Sequence, residues 1–297
     1  MNQKSKAEML KIVDRYYSNA PEYRASTGGI RMNQIGFLNN SYESPMEVAT
    51  HIVVSSFNAY TSEYGALYTF DITAEMIVSR FGFTSRPSDK VKLVIATIQS
   101  LSKKGIIHVN TDVDKIKKNT RFRVFQDMSS KLIVKKKIKD DIIYTTVENN
   151  EFSKLISSDS GLTDVQTINC LAVYGALSSS MNQYNPKGHR TGFADGNRLL
   201  NSISLHTYNS IGDVINLAKR SVVLYIHMLI ERQVIASIKV ATGMSNSYTW
   251  SRYYSKYSER IILKEFIKWL INEGYPETDK LSFVNIKDVW AEKKYPQ

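Results

Sequence analysis

Between Thr84 and Lys92 the chain brings hydroxyls and cations close together: Thr84, Ser85, Arg86, Ser88, Lys90 and Lys92. The chemistry open to such a set is recognition. A guanidinium carries a planar fork of donors that fits two acceptors at once, such as O6 and N7 of guanine. Arg86 is therefore the leading candidate for a base contact, while Thr84, Ser85 and Ser88 suit phosphate or base hydrogen bonds. Ser88 and Ser85 are also candidate helix caps, which would occupy the hydroxyl. A second set comes at Lys115, Lys117, Lys118, Arg121 and Arg123, spaced to track phosphates or enter a minor groove. Taken singly, each lysine reads as part of a solvated face, and only the clustering makes a patch.

Catalytic constellations are missing from the sequence. The five histidines, His51, His108, His189, His206 and His227, include no i, i+4 pair of the kind that holds a helical metal. No histidine-hydrophobe-histidine triplet, phosphate-binding Gly-x4-Gly-Lys-Ser/Thr loop or Gly-x-Ser-x-Gly elbow occurs. The acid pairs Asp112 with Asp114 and Asp140 with Asp141 sit in lysine-rich stretches and read as turn formers. The expectation is a protein that is not an enzyme and that has no cofactor and no metal.

The formal charge of the 297-residue chain is +11. Its distribution is uneven: 15 Lys/Arg face 5 Asp/Glu between Arg86 and Asp140, against 7 and 8 between Met1 and Ser85. The excess thus lies on the first cluster and on the residues C-terminal to it, which points to a polyanionic partner. The single cysteine, Cys170, rules out an intramolecular disulfide and falls in an apolar helical pattern, as a buried small residue would. No apolar run approaches a membrane span, and the first residues lack the apolar core of a signal peptide. A cytoplasmic protein with no membrane association is expected.

The elements that position these clusters can be read from periodicity and punctuation. An amphipathic helix over Ala7–Tyr17 and a turn-rich stretch over 18–42 form an N-terminal arm, residues 1–42. A first domain spans 43–148. Ser44 and Pro45 open a helix running to about Ser62, a short extended segment covers Gly65–Phe70, and Asp71 caps a helix over Thr73–Phe81 that Gly82 ends. A turn containing Pro87 leads to a second helix with a stripe of Val91, Val94, Ile95, Ile98 and Leu101. Ile106–Val109 and Thr120–Phe125 read as strands flanking a charged loop, and Lys131–Val147 as further strands or a basic connector. Residues 149–161 read as a linker.

The second domain, 162–257, repeats the pattern. With an offset of 128, Val94, Ile95, Ile98, Leu101, Ile106 and Ile107 correspond to Val222, Val223, Ile226, Leu229, Val234 and Ile235. The same offset sets Lys92 opposite Arg220 and Arg86 opposite Val214, and places a helix over Asn197–Tyr208. Lys219, Arg220, Arg252 and Lys256 are the cations matching the first domain's clusters. Tyr248, Trp250, Tyr253, Tyr254 and Tyr257 interleave with Arg252 and Lys256, a pattern that either stacks on unpaired bases or packs one strand face inward. A C-terminal helical extension, 258–297, carries the amphipathic helix Glu259–Asn272, which either packs on the second domain or joins two copies in a homodimer.

Helix, strand, helix, turn, helix and a strand pair around a charged loop, met twice, give an α+β, helix-rich chain of two tandem winged-helix domains. In its order of elements from Ser44 to Lys256 the chain resembles the tandem winged-helix replication initiators of plasmids. That resemblance implies sequence-specific binding of double-stranded DNA at repeated origin sites, contact with host replication proteins and a monomer–dimer balance. It carries over only to the recognition helices and wings named above. A transcriptional regulator with the same DNA contacts and a winged-helix protein-interaction scaffold are the alternatives.

Overall fold

The computed structural model describes residues 29–60, 66–83, 87–127, 144–156, 160–181, 203–242, 249–255 and 282–283. The fold is α+β, with helices and small antiparallel sheets. The chain divides into two compact units, Ser26–Tyr184 with Tyr208–Glu231, and Met1–Ala25 with Asn185–Thr207 and Arg232–Gln297.

The larger unit is built on two buried helices, α2 (Pro45–Ser55) and α6 (Asp164–Met181). Ser44 caps α2 by accepting from the Glu47 amide, and Pro45 occupies the first turn, as the sequence predicts. The helix stops at Ser55 rather than near Ser62. Ser55 and Ser56 turn their hydroxyls back onto the His51 and Val53 carbonyls, both at 2.7 Å, which competes with helix continuation. Nor is α2 one-sided: Val48, Ala49, Ile52, Val53 and Val54 are buried together with Thr50 and His51. On α6, Gly175 permits close approach to α2, since a Cβ there would lie 2.9 Å from the Ile52 side chain. Cys170 is fully buried in α6, matching its reading as a small hydrophobe.

Beside this pair lies a four-stranded sheet in the order β2 (Asn58–Tyr60), β3 (Ala66–Thr69), β5 (Val124–Asp127), β4 (His108–Val109), all antiparallel. Helices α3 (Ala74–Phe81) and α4 (Pro87–Lys103) connect β3 to β4. The cap of α3 is Thr73, which accepts from the Met76 amide at 3.2 Å, and not Asp71. Asp71 instead pairs with Arg123 at 2.7 Å, while its neighbour Ile72 bridges Phe122. Gly82 ends α3 at φ +67°, and a Cβ there would meet the Ile156 carbonyl at 2.4 Å. Helix α4 buries Val91, Val94, Ile98 and Leu101 and closes with a Schellman turn, in which the amides of Gly105 and Ile106 donate to the Ser102 and Leu101 carbonyls.

Two stretches differ from the sequence reading. The described part of the expected arm, residues 29–42, is core. Strand β1 (Gly29–Asn33) pairs antiparallel with β6 (Tyr144–Glu148), and Ile30, Met32 and Tyr42 are buried along with Ile35, Gly36 and Phe37 of the short helix α1 (Ile35–Leu38). The expected linker begins with helix α5 (Asn149–Ile156), which buries Phe152 and Leu155. The expected helices at Ala7–Tyr17 and Glu259–Asn272 lie outside the described residues.

A polar network ties these pieces together. Tyr42 donates its hydroxyl to His51 Nδ1 at 2.7 Å, and His51 Nε2 donates to Gln126 Oε1 at 2.8 Å. The Asn33 amide reaches that same oxygen at 3.1 Å, and Gln126 Nε2 donates to Ser55 at 2.8 Å. Burial holds His51 neutral, with its pKa lowered to about 4.

The order of elements recurs. Helix α6, strand β7 (Ile203–Leu205), helices α7 (Tyr208–Ile215) and α8 (Lys219–Glu231), and strands β8 (Ala236–Thr242) and β9 (Thr249–Ser255) succeed one another as α2, β3, α3, α4, β4 and β5 do. The smaller unit holds β7, β8 and β9 in a sheet ordered β10 (Ser282–Phe283), β8, β9, β7. In both sheets the last strand of the repeat lies between the other two. The 128-residue offset holds along the long helices, where Val94 and Val222, Ile98 and Ile226, and Leu101 and Leu229 are each fully buried. It fails before them. The expected helix Asn197–Tyr208 lies partly outside the described residues, and its described part holds strand β7. Helix α7 occupies Tyr208–Ile215, since α8 has 13 residues to the 17 of α4 and the link before it, 216–218, is shorter than 82–86.

Candidate nucleic-acid interface

The buried stripe of α4 leaves a ridge facing solvent, formed by Ser88, Asp89, Lys92, Leu93 and Ala96. Lys92 has no acidic partner among the described residues, and Leu93 is 41% exposed. Thr84, Ser85 and Arg86, expected just before this ridge, lie outside the described residues. Lys90 does not join it. Its ammonium sits 3.1 Å from the Asp164 carboxylate and 5.0 Å above the Phe83 ring, with the side chain only 20% exposed. Lys90 therefore braces the first turn of α4 against the start of α6 and fixes the roll of the ridge.

The loop between β4 and β5 is held at both ends. Asp112 caps a 3-10 turn (Val113–Lys115), matching its reading as a turn former. Ile116 is buried, and Gln99 of α4 donates to the Val113 carbonyl at 3.1 Å. Lys117 and Thr120 close a tight turn, with each amide donating to an oxygen of the other residue. The loop cations divide into two groups. Lys115 pairs with Asp112, Lys118 with Glu75 and Arg123 with Asp71, at 2.7–3.0 Å. All six side chains are close to half exposed or more, and the hydrogen bond and charge of Asp71 raise the pKa of the Arg123 guanidinium. Lys117 and Arg121 are exposed and have no acidic partner among the described residues.

Surface ion pairs are weak, so a phosphate can exchange with an acid at these cations. Lys104 is different. Its ammonium contacts both Glu47 oxygens, at 2.7 and 2.9 Å, where Glu47 is buried and also accepts from Ser100. Lys104 joins α4 to α2 and contributes nothing to the exposed charge. The net charge of the segment thus overstates its free surface charge: Lys92, Lys117 and Arg121 are its unpaired cations among the described residues.

In the second repeat, Lys219 and Arg220 are exposed at the start of α8, and Leu224 and His227 continue the ridge at helical spacing. Leu224 is 53% exposed. Arg252 lies in β9 opposite Lys239 of β8, and Lys256 lies outside the described residues. Sequence reasoning misses Leu93 and Leu224, whose exposure depends on the roll of each helix and has no local signature. The alternation expected along Thr120–Phe125 is present: Arg121, Arg123 and Phe125 face out while Phe122, Val124 and Gln126 are buried. Among the described residues there is no His/Cys/Asp/Glu group suited to a metal and no helix long and apolar enough to cross a membrane. Comparison with family models, curated proteins and solved structures finds no match to this chain.

Proposed function

We propose that the chain binds double-stranded DNA sequence-specifically through two tandem winged-helix modules and serves as the replication initiator of a plasmid or mobile element. The carrying observation is the repeated topology: helix, strand, two helices and a strand pair, with the last strand central in both sheets. In a winged helix this order presents the second helix of the pair to the major groove and the hairpin loop to the flanking backbone. On that reading α4 and α8 are the recognition helices. Ser88, Lys92 and Ala96 form the groove-facing ridge of the first, and Lys117 and Arg121 contact phosphates from its wing. Arg86, just before α4, supplies the base contact. Lys90 positions α4 from behind. Two modules in one chain favour adjacent repeated half-sites over a single short site. Host replication proteins are the further partners on this reading.

Footprinting on the DNA flanking the gene tests it. Protection of several directly repeated sites supports the initiator, protection of one palindrome at a promoter would point to a transcriptional regulator, and absence of salt-sensitive protection would remove DNA binding altogether. Arg86→Ala should weaken specific binding by about 1–3 kcal/mol and relax one base position.

A further inference from the structure

The outer face of the β2-β3-β5-β4 sheet shares Arg121 with the proposed duplex wing and otherwise holds residues that the duplex reading does not use. Strand register lines up Ala59, Tyr68, Phe125 and His108 in one row across all four strands. The Tyr68 and Phe125 rings lie with centroids 6.0 Å apart. Just past the end of β3, Phe70 is 50% exposed and packs edge-on against Phe57, with ring centroids 5.7 Å apart. Along the neighbouring strand, Arg121 and Arg123 alternate with Phe125 on the solvent side, while Phe122, Val124 and Gln126 fill the core side. Phe125 and Phe70 keep part of their rings in solvent beside two guanidiniums, an aromatic and cationic surface suited to a flat, anionic partner.

We propose that this face is a stacking platform for single-stranded DNA, with bases lying on Phe125, Tyr68 and Phe70 and the backbone running past Arg121 and Arg123. The rings call for exposed base faces. A duplex hides its base faces within its own stack, so this face takes unpaired nucleotides and is separate from the α4 ridge. The guanidiniums favour a phosphate chain over an apolar protein segment. Asp71 holds Arg123 in an exposed ion pair that a phosphate can replace. Stacking on aromatic side chains tolerates any base, so binding here is largely independent of sequence.

The test is fluorescence anisotropy of a labelled 20-nucleotide oligo-dT with the full chain at 0.15 M salt, alongside the duplex protected in footprinting. Wild type is expected to bind oligo-dT, Phe125→Ala to weaken it by about 5- to 150-fold, and Phe125→Tyr to retain it. Phe125 is solvent-facing, so its truncation spares the core, and duplex affinity of Phe125→Ala is expected to match wild type. Failure of wild type to bind oligo-dT overturns the proposal, as does equal binding by Phe125→Ala. Oligo-dT binding without any duplex binding would keep this proposal and remove the duplex reading.

Discussion

The two groups of loop cations make opposite predictions. Lys117 is exposed without an acidic partner among the described residues, whereas Lys118, its neighbour, is held by Glu75 at 2.8 Å. If the loop tracks duplex phosphates, Lys117→Ala removes one neutralised phosphate. The slope of log K against log salt should then become shallower by about 0.9. Between 50 and 200 mM salt, a fourfold change, that difference amounts to about 3.5-fold in relative affinity. Glu75→Gln should do the reverse. Freed from its carboxylate, Lys118 becomes available to phosphate, and the slope should steepen by up to about 0.9. The side chains are 62% and 47% exposed, so breaking the pair should change folding stability by no more than roughly 0–1 kcal/mol. Electrophoretic or anisotropy titrations of one duplex at four or five salt concentrations read both slopes, with urea unfolding as the control. Unchanged slopes for both variants would refute the assignment of this loop to the DNA backbone. A steeper slope for Lys117→Ala would refute the counterion argument itself.

Other predictions concern the scaffold. Lys104→Met should destabilise the fold by about 3–5 kcal/mol in urea unfolding, because it leaves the buried Glu47 carboxylate without its cation. A loss below about 1 kcal/mol would mean that Ser100, the Glu43 amide and solvent satisfy Glu47 without it. Gly82→Ala should destabilise by more than the roughly 1–2 kcal/mol that a left-handed conformation costs a residue with a Cβ, since it combines a φ of +67° with a contact of 2.4 Å to the Ile156 carbonyl. An unchanged melting midpoint would contradict that contact. Acid should destabilise the larger unit through His51, whose pKa is about 4 when folded against 6.5 when free. Between those values the unfolded chain binds a proton that the folded chain does not. Stability therefore falls as pH drops from 6.5 to 4, by up to about 1.4 kcal/mol per pH unit and about 3 kcal/mol in all. His51→Gln, with nothing to titrate there, should show a flatter pH profile, and an equal slope in both proteins would exclude His51 as the source.

The parts of the fold legible in the sequence are those set by local rules. Ser44-Pro45, Gly82 and Gly105 mark helix ends through side-chain and backbone chemistry that needs no distant partner. The stripes of α4 and α8 are legible because a period of 3.6 is written in consecutive residues. The illegible parts depend on remote partners. Strand β1 reads as an arm because its pairing partner, β6, lies over 100 residues away, and a five-residue strand shows too few alternations to stand out. Helix α5 is hidden in a polar stretch because eight residues with so few buried apolar positions resemble a linker. Asp71 has the composition of a cap, but Arg123 draws it away, and Thr73 stands at the geometrically correct place. For the candidate site, charge counting locates the patch but cannot distinguish Lys104 and Lys90, which are buried or braced, from Lys117, which is open.

The failure of the repeat offset carries the furthest consequence for the proposed function. Along the long helices and their exits, buried positions coincide at an offset of 128 residues, so the two repeats share one way of packing the helix. The divergence is confined to its start. Helix α4 has a first turn holding Ser88, Asp89 and the Lys90 brace to Asp164, whereas α8 begins directly with Lys219 and Arg220. In a winged helix the residues at the start of the recognition helix meet base edges, and those further along meet the flanking backbone. On the proposed reading, the second repeat keeps the buried stripe of the helix and lacks the first-turn positions that would discriminate between bases. The first repeat would then set which sequence is bound. The second, through Arg220 and the exposed Leu224 and His227, would add contact area and charge with a looser sequence demand.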